Sequence, residues 1–135
     1  MKTFNKYLKL STLLLFFLAI SSCKKNDDNF SGDQSVIGDW SNVKITGISR
    51  HTSTNYTFRA DGTGHELIWQ SVGTSNTDIS DDELVWSTED NKILKFTVKG
   101  LPEEVYKYKI YNINGGLSMD LEDKSGNVIT YLKER

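Results

Sequence analysis

Strong nucleophiles and metal ligands are scarce in this 135-residue chain. It has one cysteine, Cys23, and two histidines, His51 and His65. A single thiol excludes a disulfide framework and any cysteine-built zinc site. His65-Glu66 runs on as Leu67-Ile68-Trp69, so no second histidine completes the spacing with which a helix holds zinc for hydrolysis. No serine stands in Gly-x-Ser-x-Gly with a partner base in view. Asp81-Asp82-Glu83 and Asp123-Lys124-Ser125-Gly126-Asn127 lack the alternating oxygen donors of a calcium loop. They read as a solvated loop and a turn. No metal, cofactor or catalytic assembly is expected, and the chain is not read as an enzyme. What remains is a set of aromatic residues, Tyr56, Phe58, Trp86, Phe96, Tyr106 and Tyr108, that can share one face of a sheet. Those rings either fill a core or line an apolar pocket carrying a few phenolic hydroxyls.

Cys23 closes a targeting pattern. Lys2, Lys6 and Lys9 precede an apolar run from Leu10 to Ile20. That run is far shorter than the ~20 residues of a membrane-spanning helix. A basic start, a short apolar stretch and small residues form a secretory signal peptide. Ile20-Ser21-Ser22-Cys23 resembles the lipobox of bacterial lipoproteins: an aliphatic residue, two small residues, then the cysteine that accepts lipid. The resemblance implies that residues 1–22 are removed, that the Cys23 thiol joins diacylglycerol, and that the new amine is acylated. Three acyl chains, at ~0.8 kcal/mol per buried CH₂, make an effectively permanent anchor. The alternative is an ordinary cleaved signal that leaves Cys23 as a free thiol. Lys24-Lys25-Asn26-Asp27-Asp28 resembles the surface-export signal of lipoproteins from Bacteroidetes-type bacteria. This implies a lipid-anchored protein of the outer membrane, exposed at the cell surface.

Without its three leader lysines the chain carries 13 basic and 18 acidic groups, a net charge of −5. Phosphate backbones need a basic footprint, so nucleic acid is not expected as a partner. The polar, glycine-containing stretch up to Ser35 reads as a flexible tether. The expected organisation is a signal peptide over 1–22, a lipidated tether over 23–35 and one domain over 36–135.

Positioning the aromatics on one face requires strands. From residue 36 onward the helical period is absent and alternation recurs. It runs through Tyr56–Ala60, Leu84–Ser87, Leu94–Val98, Tyr106–Ile110 and Leu117–Leu121. Less regular runs span Asp39–Ile48, His65–Gln70 and Val128–Leu132. Asp61-Gly62 has the composition of a two-residue hairpin turn. Glu89–Lys92, Gly100-Leu101-Pro102, Asn114-Gly115-Gly116 and Ser125-Gly126-Asn127 mark further turns. Eight antiparallel strands with short links predict an up-and-down β-barrel, since pairing strand eight with strand one removes the exposed edges.

Ile37-Gly38-Asp39-Trp40 resembles the Gly-x-Trp opening of lipocalins. Tyr56-Thr57-Phe58-Arg59-Ala60-Asp61-Gly62-Thr63-Gly64 resembles the second hairpin of the lipocalin-like domains of Bacteroidetes lipoproteins. Trp86, Leu94 and Tyr131-Leu132-Lys133 fit the same spacing. The resemblance covers residues 36–135 and implies a lipocalin-like barrel with a binding habit. It also implies that Lys133 or Arg135 packs across Trp40 at the barrel end.

Two functions follow as expectations. In one, a lipid-anchored envelope protein holds a small apolar or amphipathic ligand against Tyr56, Phe58, Trp86, Phe96, Tyr106 and Tyr108. In the other, the barrel is solid and its loops bind another envelope protein. The segments Ser49–Asn55, Ser71–Glu83 and Lys99–Glu104 are expected as the longer links, all at the end away from the tether.

Overall fold

The computed structural model describes residues 32–135. The expected signal peptide over 1–22, Cys23 and the Lys24–Asp28 segment lie outside the described residues. All regular elements among the described residues are strands: β1 (Gly38–Gly47), β2 (Arg50–Phe58), β3 (Thr63–Val72), β4 (Ser75–Glu89), β5 (Ile93–Val98), β6 (Glu104–Ile113), β7 (Gly116–Glu122) and β8 (Val128–Lys133). Each pairs antiparallel with the next, and β1 pairs with β8 through Trp40–Lys133 and Ser41–Leu132. The sheet therefore closes as a ring of eight strands.

Alternation sets what lies inside. Leu94, Phe96 and Val98 are buried along β5, while Ile93, Lys95 and Thr97 between them are not. The same period buries Tyr56 and Phe58 on β2, Leu84 and Trp86 on β4, and Met119 and Leu121 on β7. These side chains form one core cluster with Trp40, Tyr108 and Tyr131.

Several turns follow from local chemistry. Asp90 and Asn91, both at φ near +50°, make the tight β4–β5 turn, and Asn and Asp tolerate that conformation better than most residues. The Asp61-Gly62 link differs from a two-residue hairpin. It spans residues 59–62, closed by Gly62 N–H to the Arg59 carbonyl at 3.2 Å. Only Gly62 has positive φ there. Asp61 instead accepts hydrogen bonds from the Thr63 amide and hydroxyl at 2.9 and 2.6 Å, an Asx-type turn.

Two segments expected as loops are strand. Ser49–Asn55 lies almost wholly in β2, and Ser71–Glu83 is interrupted only by the Gly73-Thr74 turn. Their sequences hide this because the buried inward positions there are serines, Ser53 and Ser71, so no apolar alternation appears. Pairing of β4 with β5 begins at Leu84–Val98, and pairing of β1 with β8 extends no further than Ser41. Beyond those points β1, β2, β3 and β4 continue as a four-stranded arm projecting from the ring. The end opposite the chain entry is therefore built from this arm and the links at 99–103 and 123–127.

Gly64 is the tightest point of the wall. A Cβ there would stand 2.3 Å from the Thr57 carbonyl oxygen and 2.5 Å from Leu84 Cδ1. The carbonyl belongs to the neighbouring strand and cannot yield. Gly64→Ala should cost ~3 kcal/mol, the upper range for overpacking. Gly47→Ala, which meets nothing within 4 Å, should stay within about 0.5 kcal/mol. Urea midpoints of the two variants check the contrast.

Candidate functional site

Five of the six aromatic residues, all but Tyr108, come together with Tyr131 as an interlocked stack. The Tyr56 ring lies 5.1 Å from Phe96, 5.8 Å from Phe58 and 5.4 Å from Tyr131, centroid to centroid. Phe58 meets Trp86 edge-on at 5.3 Å, and Phe96 stacks on Tyr106 at 5.6 Å. Such offset and edge contacts contribute ~0.5–1.5 kcal/mol per pair beyond area burial. Phe58, Trp86 and Phe96 are buried, so they occupy the lumen and do not bound a space within it. A recess of about 420 Å³ exists outside, lined by Arg59, Thr63, Glu83, Val85, Thr97 and Lys99.

The end where the chain enters is plugged. Val36 is buried, and Asp33 N–H donates to Thr88 Oγ1 at 2.7 Å. The Tyr108 hydroxyl donates to Asp33 at 2.6 Å. Burial works to raise the Asp33 carboxyl, but hydrogen bonds from Tyr108 and Ser35 outweigh it and hold the pKa below the ordinary value. Residues 33–35, read from sequence as the end of a tether, thus pack against the ring. Tyr108, read as a pocket candidate, belongs to this plug.

Trp40 seals the same end. Its indole N–H donates to the Val36 carbonyl at 2.7 Å. Lys133 Nζ stands 5.1 Å from the ring centroid and donates to the Ile37 carbonyl at 2.7 Å. Gly38 makes room for this lysine, since a Cβ there would approach Lys133 Cε to 2.5 Å. Arg135 is exposed.

Toward the arm the lumen changes character. Glu66 on β3 lies between Tyr56 and Asp82 in the strand ladder. It is only 6% exposed. Tyr56 hydrogen-bonds with Glu66 and with Tyr131, and the Tyr106 hydroxyl donates to Glu104. Burial pushes the Tyr131 phenol up to about 12; Tyr56 opposes it as the next largest influence, and the nearby Glu66 and Glu104 charges add smaller upward pushes. Burial and the same acidic surroundings raise Tyr56 and Tyr106 as well. These phenols are held neutral, as hydrogen-bond donors.

Glu66 was not a candidate from sequence. Its one signal was a charged residue at an inward position of an irregular run. His65 points the other way and meets the Asp81 carboxylate. Asp123 accepts from the Ser125 and Asn127 amides at 2.8 and 2.9 Å, so its carboxylate is committed to a turn. His51 lies on β2 opposite Ser71. No group of three or more His, Cys, Asp or Glu among the described residues is arranged to hold a metal ion.

Comparison with family models, with curated proteins and with solved structures finds no match.

The Trp40 end generates a stability test. Lys133→Met removes a charged hydrogen bond, worth ~1.5–3 kcal/mol, and the contact over the indole. It should lower stability by about 1–3 kcal/mol. Arg135→Ala should change it by less than about 0.5 kcal/mol. Denaturant unfolding of both variants separates the two roles.

Proposed function

We propose that this chain is a lipid-anchored envelope protein with a lipocalin-like barrel. Its interior is a packed core, and it acts as an interaction module for another envelope protein through the projecting end. One observation carries the choice over a ligand-holding barrel: Phe58, Trp86 and Phe96 fill the lumen in mutual contact. A ligand-holding barrel of eight strands needs that space for its guest.

The arm supports the same reading. Val43 and Ile45 on β1 are 56% and 75% exposed, and Ile48 at the hairpin tip is fully exposed. Val72 and Ile79 add apolar surface on the neighbouring hairpin. The chain enters through residues 33–37 at the opposite end, so an anchor at Cys23 leaves the arm pointing away from the membrane. A second reading, a small polar or amphipathic ligand at the open end, is favoured by the phenols and carboxylates around Glu66.

Lipidation is tested first. Labelled palmitate should enter the wild-type protein and not Cys23→Ala; a labelled Cys23→Ala protein overturns the anchor. The module reading is tested in intact cells by a photo-crosslinker placed at Ile48 and, separately, at Arg59. A discrete adduct from Ile48 alone supports it. Adducts from both sites or from neither, together with a small molecule retained in native mass spectra, favour the ligand reading.

A further inference from the structure

Glu66 carries a carboxyl group into the lumen at the level where the ring gives way to the arm. The groups around it can be named element by element. β2 contributes Tyr56 and β4 contributes Asp82, its two ladder neighbours. β6 contributes Glu104, whose charge acts on it. β8 contributes Tyr131, whose ring lies tilted against Tyr56 at 5.4 Å. β1 and β5 present the apolar rings of Trp40 and Phe96 to Tyr56, and β7 presents Met119 and Leu121 to the core. Every charged group acting on Glu66 is itself a carboxylate.

A buried carboxylate with acidic neighbours is costly to ionise without water. Glu66 is only 6% exposed, so fuller hydration of its carboxyl needs some wall to move. Ser75–Asp82 of β4 pairs with β3 alone, because β5 begins its pairing at Leu84 and the Lys99 amide donates to the Glu83 carbonyl. This β4 segment of the β3–β4 hairpin can therefore yield, while β3 is held by β2 on its other side.

We propose that Glu66 is a proton-linked latch: neutral, it packs with Tyr56 and closes the lumen; ionised, it draws in water and loosens the β3–β4 hairpin.

The electrostatics run in the required direction. Burial raises the Glu66 pKa above its ordinary 4.5; Tyr56 opposes it as the next largest influence, and Glu104 and Asp82 add smaller upward pushes. A raised carboxyl pKa means that the closed form holds the proton more tightly than the open form. Closure is thus fully favoured below the ordinary glutamate range. It is lost as pH rises through the raised value.

Hydrogen exchange on the full-length processed protein in micelles tests this, with rates corrected for the intrinsic pH dependence. Each unit by which closure raises the pKa should make the single-sided β4 amides exchange ~10-fold faster at about pH 8 than at about pH 3.5. The amides concerned are those of Ser75–Asp82, while β5 to β7 stay constant. Glu66→Gln, permanently neutral, should hold the hairpin closed at both values, with a ratio near one. Asp82→Asn should move the wild-type transition to lower pH by removing a neighbouring charge. That shift keeps the idea testable if Glu66→Gln does not fold. A hairpin indifferent to pH, an unchanged pH response in Glu66→Gln, no shift in Asp82→Asn, or loosening spread evenly over the ring would each overturn the latch.

Discussion

A closed ring of eight strands has an inside that its own side chains must fill, and the contact of Phe58, Phe96, Tyr56 and Trp86 is what fills it. These residues come from β2, β4 and β5, so the stack ties together strands that local hydrogen bonding alone does not order. Much else follows from its size. Gly64 must be flat so that Leu84 can close over the wall. The Trp86 indole N–H reaches the Arg59 and Thr63 carbonyls at 3.0 Å, because a ring buried this deeply needs a partner for its one polar atom. The Tyr56 hydroxyl faces the same demand, and Glu66 meets it.

The two ends of the ring solve different problems. At the entry end Val36, Trp40 and Lys133 form a seal in which each polar atom is used: the indole N–H by Val36, the ammonium by Ile37 and the indole face. At the other end four strands outrun the remaining four, leaving β1 and β4 with unpaired edges. Such edges invite pairing with other chains. The β4 edge is guarded by Asp78, Asp81 and Asp82. The β1 edge carries Lys44 and a register irregularity between Ile45 and Gly47. Where the strands part, the Asn42 side chain donates to the Thr130 carbonyl at 2.7 Å, replacing a ladder bond with a side-chain one. The exposed Ile45 and Ile48 lie beyond that point, on the less protected of the two edges.

Local pattern was enough to read the all-β class, the strand count and most of the inward residues, because alternation has a fixed period and turns demand particular residues. Leu94-Lys95-Phe96-Thr97-Val98 can be little else than a half-buried strand, and Asn114-Gly115 little else than a tight turn, with φ of 51° and 80°. The pattern failed where burial did not enforce it. The arm is rich in serine, threonine and asparagine. Its inward positions include the buried Ser53 and Ser71, and apolar residues such as Val43 and Ile45 face outward, so its strands are held by backbone pairing without an apolar-inward alternation in the sequence. Register decided which side chains meet across long separations: Tyr108 with Asp33, 75 residues apart, and Tyr56 between Trp40 and Glu66. Whether the shared aromatic face enclosed a space or filled it also depended on ring-to-ring distances of 5–6 Å. Those distances are set by the closure of β1 on β8, a contact between positions some ninety residues apart that no local pattern encodes.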